Sequence, residues 1–158
     1  MISSLLPLLR EAGQLIRDCH QYCVNPKKDL SPVTDADLAS HDCLVAGLST
    51  LTPDIPIISE ESSIPDYHIR KNWDRFWLID PLDGTKEFIQ GTGEYSICLA
   101  LIEHKRPILG MIYGPEKEIF YYAQKNQGAF KQIGTDQAQP IFKKENKGGP
   151  FRVLCSRF

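Results

Sequence analysis

Hydrophobic residues in the first third of the chain recur every three or four positions, which is the spacing of amphipathic helices. The first such stretch predicts a helix over most of residues 3–23, and Asn25-Pro26 stops it. A second stretch begins near Thr34, where Thr34 and Asp37 fit the capping-box pattern of a helix start. Pro53 ends that stretch. Two amphipathic helices are therefore expected to open the fold.

The rest of the chain carries short apolar runs bounded by turn residues, and this pattern predicts β-strands. The runs cover residues 55–59, 76–79, 95–102, 108–113 and 119–123, with shorter candidates at 128–130 and 151–155. Turn residues at 105–107 and 114–117 read as hairpin connections, so the later strands should form an antiparallel meander. Two helices packed on a mostly antiparallel sheet make a layered α+β domain, which is the predicted fold class.

Composition narrows the class of protein. The chain has 158 residues, of which 42% are hydrophobic and 24% charged, as expected for one globular domain. Its net charge of −2 argues against a surface that binds nucleic acid polymers. No apolar run reaches the roughly 18 residues of a membrane span, so no integral membrane segment is expected. Five scattered cysteines favour reduced thiols and cytoplasmic residence.

The strongest chemical signal is a pair of aspartates at the end of a predicted strand. Asp80 and Asp83 flank Pro81, which fixes its own φ, and Gly84 follows, which permits a positive φ. This arrangement predicts a tight turn that holds both carboxylates in place. Buried carboxylates need a compensating positive charge, and hard oxygen ligands at this density favour Mg²⁺. The alternative is an Asp-Gly hairpin turn with no ligand.

Further polar groups follow the predicted elements nearby. Glu60 comes directly after the run at 55–59 and so lies at a strand end, although an exposed acid opening a loop would look the same. The Leu82 carbonyl could provide another oxygen. Gly84 and Thr85 open a short helical turn whose N–H groups can receive a phosphate. Asp37, near a helix start, could serve the helix cap alone.

Three segments, in this order, are similar to the motifs of the inositol monophosphatase superfamily: Val33-Thr34-Asp35-Ala36-Asp37, Ser59-Glu60-Glu61-Ser62 and Asp80-Pro81-Leu82-Asp83-Gly84-Thr85. Residues 31–34 and 86–88 most resemble the 3′(2′),5′-bisphosphate nucleotidases, which remove the 3′-phosphate from adenosine 3′,5′-bisphosphate, a by-product of sulfate activation. Inositol monophosphatases usually have a short, uncharged residue where this chain has Lys86. That lysine favours a doubly phosphorylated substrate, or it is a surface lysine paired with Glu87.

The resemblance implies roles for individual residues. Glu60, Asp80 and the Leu82 carbonyl would hold one Mg²⁺, and Asp80 and Asp83 would share a second. Thr85 would pass a hydrogen bond to the attacking water, with Asp37 behind it as the acceptor, so these two are the predicted catalytic residues. The predicted substrate contacts are Glu60, Leu82, Asp83, Gly84 and Thr85.

The resemblance also concerns the extent of the chain. It runs from the first helix to about Ser156, which implies that residues 1–158 form the family's N-terminal metal-binding domain and that its C-terminal domain is absent. An open sheet edge would then invite self-association. Two classes of function compete: a Mg²⁺-dependent nucleotidase, with inositol monophosphatase or sugar bisphosphatase as the alternative, and an inactive fragment or half of a split enzyme. The family also allows loose association with the inner face of the membrane.

Overall fold

Two long helices cover one face of a seven-stranded sheet in the computed structural model, which describes residues 1–19, 23–26 and 32–142. The helices are α1 (Ile2–Asp18) and α2 (Asp35–Leu51). The predicted start of the second helix is confirmed, because Thr34 is the N-cap residue of α2 and Asp37 completes a capping box. The predicted strand at 151–155 lies outside the described residues. None of the described helices has the length and apolar character needed to span a bilayer.

The first helix is shorter than predicted. Cys19 has left the helical conformation, with φ −79° and ψ 74°, so α1 ends at Asp18 instead of near residue 23. The Cys23 N–H donates to the Asp35 carboxylate at 2.9 Å, which ties this part of the chain to the start of α2. The predicted loop between the helices also contains two short antiparallel strands, β1 (Val24–Pro26) and β2 (Pro32–Thr34).

The main sheet follows chain order, and all but one of its strand pairs are antiparallel. Its strands are β3 (Ile57–Ser59), β4 (Arg75–Asp83), β5 (Ser96–Glu103), β6 (Arg106–Gly114), β7 (Ile119–Gln124), β8 (Gly128–Ile133) and β9 (Gln139–Ile141). Among the strands of the described residues, the parallel pair is β3 with β4. Three short helical segments connect strands: α3 (Tyr67–Arg70), α4 (Thr85–Ile89) and a 3₁₀ turn at Pro115–Lys117. The predicted meander and the α+β class are confirmed.

The hydrophobic core lies between the helices and the sheet. Alternate residues of the central strands, such as Trp77 and Leu101, are buried there, because successive side chains of a strand point to opposite faces. The Trp77 indole N–H donates to the Thr52 hydroxyl at 2.9 Å, so the central strand is also bonded to the end of α2. The helices approach each other closely, since a Cβ on Gly47 would lie 2.3 Å from a Leu8 methyl carbon. This packing holds the end of α2 against β4 and α1.

Candidate active site

The three motif segments meet where β3 and β4 end beside the start of α2. Asp80 and Asp83 both belong to β4, and the strand continues through them, so the tight turn predicted between them is wrong. The ladder to β5 is instead irregular here, with Asp80 opposite Cys98 and Asp83 opposite Ser96. Two residues on β4 then face one on β5, which is a β-bulge. Pro81 lies in the bulge, where its missing N–H costs no ladder hydrogen bond.

Gly84 turns the chain from β4 into α4. Its φ of 96° lies in the left-handed region, as the sequence predicted. A side chain here would also be crowded, because an added Cβ would lie 3.1 Å from the Glu94 carbonyl oxygen. The turn places Thr85 at the first position of α4, beneath the bulge and close to α2.

Asp37 and Thr85 are brought together, although 48 residues separate them. The Thr85 hydroxyl donates to Oδ1 of Asp37 at 3.0 Å. The other oxygen, Oδ2, accepts from the Thr34 N–H at 2.8 Å and from the Thr34 hydroxyl at 2.5 Å. Asp37 is 1% exposed, so three donors surround a carboxylate that water barely reaches. The buried carboxylate therefore fixes the direction in which the Thr85 hydroxyl points.

Glu60 and Asp80 form the acidic part of the site. Glu60 lies close enough to Asp80 for its side chain to act on the Asp80 carboxyl group. Burial, together with the charges of Glu60 and Asp83, raises the pKa of Asp80 from its ordinary value of 3.8 to about 7. This excess of negative charge on hard oxygen donors fits a divalent cation such as Mg²⁺. In the described ranges, no three His, Cys, Asp or Glu side chains form a metal-binding group by themselves, and the Leu82 carbonyl is the further oxygen predicted from the sequence.

The backbone of Leu82 links the acidic pair to Thr85. Its N–H donates to Oδ1 of Asp80 at 3.2 Å, and its carbonyl oxygen accepts from the Thr85 hydroxyl at 3.3 Å. Asp83, one residue further, is exposed and influences the Asp80 carboxyl through its charge. All the residues predicted from the sequence therefore fall within one connected region.

An apolar groove of about 670 Å³ adjoins the carboxylates on the sheet face opposite the helices. Glu60 and Asp80 line one end, together with the Cys98 thiol, whose pKa is raised to about 11, mainly by burial. Leu78, 45% exposed, is one of several large apolar side chains in the groove that remain open to solvent. The rest of these side chains are Ile64, Ile112, Tyr121 and Ile141.

Two residues missed by the sequence analysis also contact the motif segments. The Ser40 hydroxyl donates to the Pro81 carbonyl oxygen at 2.8 Å, and His41 Nδ1 lies 2.7 Å from the Ser59 hydroxyl. Their spacing in the sequence could have revealed them, because residues three and four positions after Asp37 lie on the same helix face as Asp37.

Comparison with known proteins identifies the family. Residues 2–149 match the sequence model of the inositol monophosphatase family. The chain belongs to this family. It is 43% identical over 150 residues to the 3′(2′),5′-bisphosphate nucleotidase CysQ of Escherichia coli O157:H7. That alignment covers 89% of this chain and 61% of the relative, so the chain spans about three fifths of the relative's length.

Two solved structures are similar in fold. One is CysQ from Bacteroides thetaiotaomicron, described as a bacterial member of the inositol monophosphatase family. It matches with a TM-score of 0.74 and 31% identity, and the match covers 92% of this chain and 58% of the CysQ chain. The other is described as IMPase/NADP phosphatase complexed with Mg²⁺ and phosphate. It matches with a TM-score of 0.69 and 26% identity, and the match covers 82% of this chain and 48% of that chain. The inositol-monophosphatase-like fold expected from the motifs is therefore confirmed.

Proposed function

We propose that this chain is a Mg²⁺-dependent phosphoric monoester hydrolase that acts on adenosine 3′,5′-bisphosphate. The observation that carries the proposal is the hydrogen bond from Thr85 to the buried Asp37, next to the Glu60–Asp80 carboxyl pair. The arrangement has two parts that phosphate hydrolysis needs: an oxygen-rich place for a cation and an oriented hydroxyl beside it. Family membership and the names of the bisphosphate nucleotidase relatives support the same reading.

We assign Glu60, Asp80 and the Leu82 carbonyl to one Mg²⁺, and Asp80 with Asp83 to a second. The Leu82 carbonyl lies in the backbone segment that also bonds Asp80, so it belongs to the same local oxygen cluster. When bound, Mg²⁺ stabilises negative charge on phosphate oxygens and lowers the pKa of a bound water. A structural relative described with Mg²⁺ and phosphate supports this choice of ion.

Thr85 and Asp37 are the proposed catalytic residues. Because the Thr85 hydroxyl proton points towards Asp37, at 3.0 Å, and the Leu82 carbonyl, at 3.3 Å, the lone pairs of its oxygen can accept a hydrogen bond from the attacking water. The water adds to phosphorus and gives up a proton, and the bond from phosphorus to the 3′-oxygen breaks. The 3′-oxygen takes up a proton, so the products are adenosine 5′-phosphate and inorganic phosphate. The N–H groups of Gly84 and Thr85 stand at the start of α4, where they can donate to the phosphate oxygens.

Lys86 is the residue that we expect to distinguish the substrate classes. It is exposed and directly follows Thr85 in α4, so its charge is available to a second phosphate. The direct test is phosphate release from adenosine 3′,5′-bisphosphate with Mg²⁺, compared with inositol 1-phosphate and a sugar bisphosphate. Preference for the nucleotide, reduced by Lys86→Ser, supports the assignment. Faster release from inositol 1-phosphate would make the chain an inositol monophosphatase instead.

A second candidate function is that of a non-catalytic part that works only with a complementing polypeptide. The exposed apolar groove beside Glu60 and Asp80 favours it. The proposed occupant of the groove is the polypeptide that corresponds to the remainder of the Escherichia coli relative. Activity that appears only when this polypeptide is added would establish the second candidate. Turnover by the 158-residue chain alone would exclude it.

The proposal includes cytoplasmic residence and a role in recycling the by-product of sulfate activation. Four cysteines within the described residues are free thiols, which favours a reducing compartment. Nothing in the described residues supports the membrane association that the resemblance allowed, and it is not proposed. Self-association through a sheet edge, and the division into an N-terminal domain with its C-terminal partner absent, stay predictions.

A further inference from the structure

We propose that Ser40 and His41 are positioning residues that set the distance between the two acidic segments of the site. These segments are the Glu60 segment, residues 59–62, and the Asp80 segment, residues 80–83. The inference rests on the metal-binding role proposed above for Glu60 and Asp80. It concerns two side chains of α2 that neither bind the ion nor touch the substrate.

His41 fixes the Glu60 segment. Its Nδ1 lies 2.7 Å from the hydroxyl oxygen of Ser59, a residue that is 1% exposed. The Glu61 N–H also donates to this hydroxyl oxygen, at 3.3 Å, so the hydroxyl proton is available to His41 Nδ1. The Glu60 N–H donates to the Ile79 carbonyl at 3.1 Å. Glu60 therefore lies between a side-chain bond to α2 and a backbone bond to β4.

Ser40 fixes the Asp80 segment. Its hydroxyl is completely buried and donates to the Pro81 carbonyl oxygen at 2.8 Å. Because Pro81 lies in the bulge between Asp80 and Asp83, the hydrogen bond holds the part of β4 where the regular ladder is interrupted. A buried carbonyl without this partner would cost free energy, so the bond constrains the bulge to one position relative to α2.

A single helix face, which begins in the first motif segment, therefore holds the other two. Asp37, Ser40 and His41 are spaced i, i+3 and i+4, and they bond Thr85, Pro81 and Ser59 respectively. The Glu60 and Asp80 segments carry like charges, which favour separation when no cation is present. Hydrogen bonds to a rigid helix oppose that separation and keep the oxygen donors at the spacing that a cation requires.

The test compares two substitutions, His41→Asn and His41→Leu. Asparagine places a polar atom where Nδ1 lies, whereas leucine has nearly the same shape and no polar atom. Mg²⁺ affinity is measured by calorimetry on the 158-residue chain. His41→Leu should weaken binding about 10-fold, and His41→Asn should retain most of the affinity, because partners outside the ligand shell typically contribute 10- to 100-fold. Equal affinity of the leucine variant and the unchanged chain would overturn the inference.

Ser40→Ala tests the second contact, with Ser49→Ala as its control. Ser49 is an exposed residue of the same helix, so its substitution removes a serine hydroxyl from α2 away from the motif segments. We expect weaker Mg²⁺ binding in Ser40→Ala and unchanged binding in Ser49→Ala. If Ser40→Ala and Ser49→Ala change the Mg²⁺ affinity equally, or if neither changes it, a positioning role for Ser40 is refuted.

A metal-free measurement separates failure of this inference from failure of the proposed function. Amide hydrogen exchange of Glu60, whose N–H bonds Ile79, is followed in EDTA. His41→Leu and Ser59→Ala should each speed this exchange, and the double variant should add little more. If His41→Leu does not fold, the exchange measurement is made on Ser59→Ala instead. No Mg²⁺ binding by the unchanged chain would refute the proposed metal site. Unaltered exchange in both variants would refute the positioning role by itself.

Discussion

Replacing Asp80 with asparagine should stabilise the metal-free protein while removing the proposed Mg²⁺ site. The carboxyl group lies in a partly buried place next to Glu60 and Asp83, and these surroundings raise its pKa to about 7. Asparagine is uncharged, and its side-chain oxygen can still accept the hydrogen bond that the Leu82 N–H donates to Oδ1. The substitution therefore removes the repulsion and keeps the local hydrogen bond.

The size and pH dependence of the effect follow from the pKa of Asp80. In the folded chain the Asp80 carboxyl keeps its proton up to about pH 7, whereas the ordinary pKa of an aspartate is 3.8. Between these two pH values the folded state therefore binds more protons than the unfolded state. Folding stability must then fall as the pH rises through this window, and the full loss is present above pH 7. The difference corresponds to at most about 4 kcal/mol. Because the side chain is only partly buried and water screens its charge, about 2 kcal/mol is expected.

Urea unfolding in EDTA, followed by the fluorescence of the buried Trp77, measures the free energy directly. Asp80→Asn should be more stable than the unchanged chain by about 2 kcal/mol at pH 8, and by less than about 1 kcal/mol at pH 4.5. Saturating Mg²⁺ should stabilise the unchanged chain and leave the variant unaffected. A variant that is no more stable at pH 8, or equally stabilised at both pH values, would show that Asp80 does not carry the repulsion.

Three further substitutions test the packing that holds the site. Gly84→Ala should destabilise the protein by about 1–3 kcal/mol in urea unfolding, because φ is 96° and the Glu94 carbonyl is close; an unchanged midpoint would contradict this. Tyr113→Phe should raise the unfolding free energy by about 1 kcal/mol, since its buried hydroxyl has no hydrogen-bond partner among the described residues; a loss would reveal a partner. Gly47→Ala should lower the thermal midpoint by several degrees, because its Cβ would overlap Leu8, and a neutral result would mean that the helices can move apart.

Sequence periodicity located the elements better than their ends. The second helix was placed correctly because Thr34 and Asp37 carry a local capping signal. The first helix was predicted too long, because Cys19 and Cys23 continue the apolar spacing although the backbone has already turned. Strands β1, β2 and β9 were missed for a common reason. Each has three residues and contains proline, which argues against a strand in a sequence even though short or edge strands tolerate it.

In the candidate site, too, the sequence predicted features that depend on neighbouring residues and missed those that depend on distant ones. Asp80, Asp83 and Gly84 were recognisable because their chemistry lies within a few residues of chain. Their exact backbone form was not, since a tight turn and a bulged strand both accommodate Pro81. Contacts between distant residues were invisible from residue type alone. The bond from Ser40 to Pro81 spans 41 positions, and it exists only because α2 packs against β4.

Asp37 illustrates why a capping role and a catalytic role need not compete. One of its oxygens, Oδ2, accepts both donors of Thr34 and so serves the start of α2. The other, Oδ1, accepts the Thr85 hydroxyl, which the sequence left as an alternative to capping. The cap immobilises the carboxylate at no cost to its second oxygen, and burial prevents water from competing for it. The helix start that stabilises the fold is thus the same structure that orients Thr85, and Ser40 and His41 extend that function along one face of the helix.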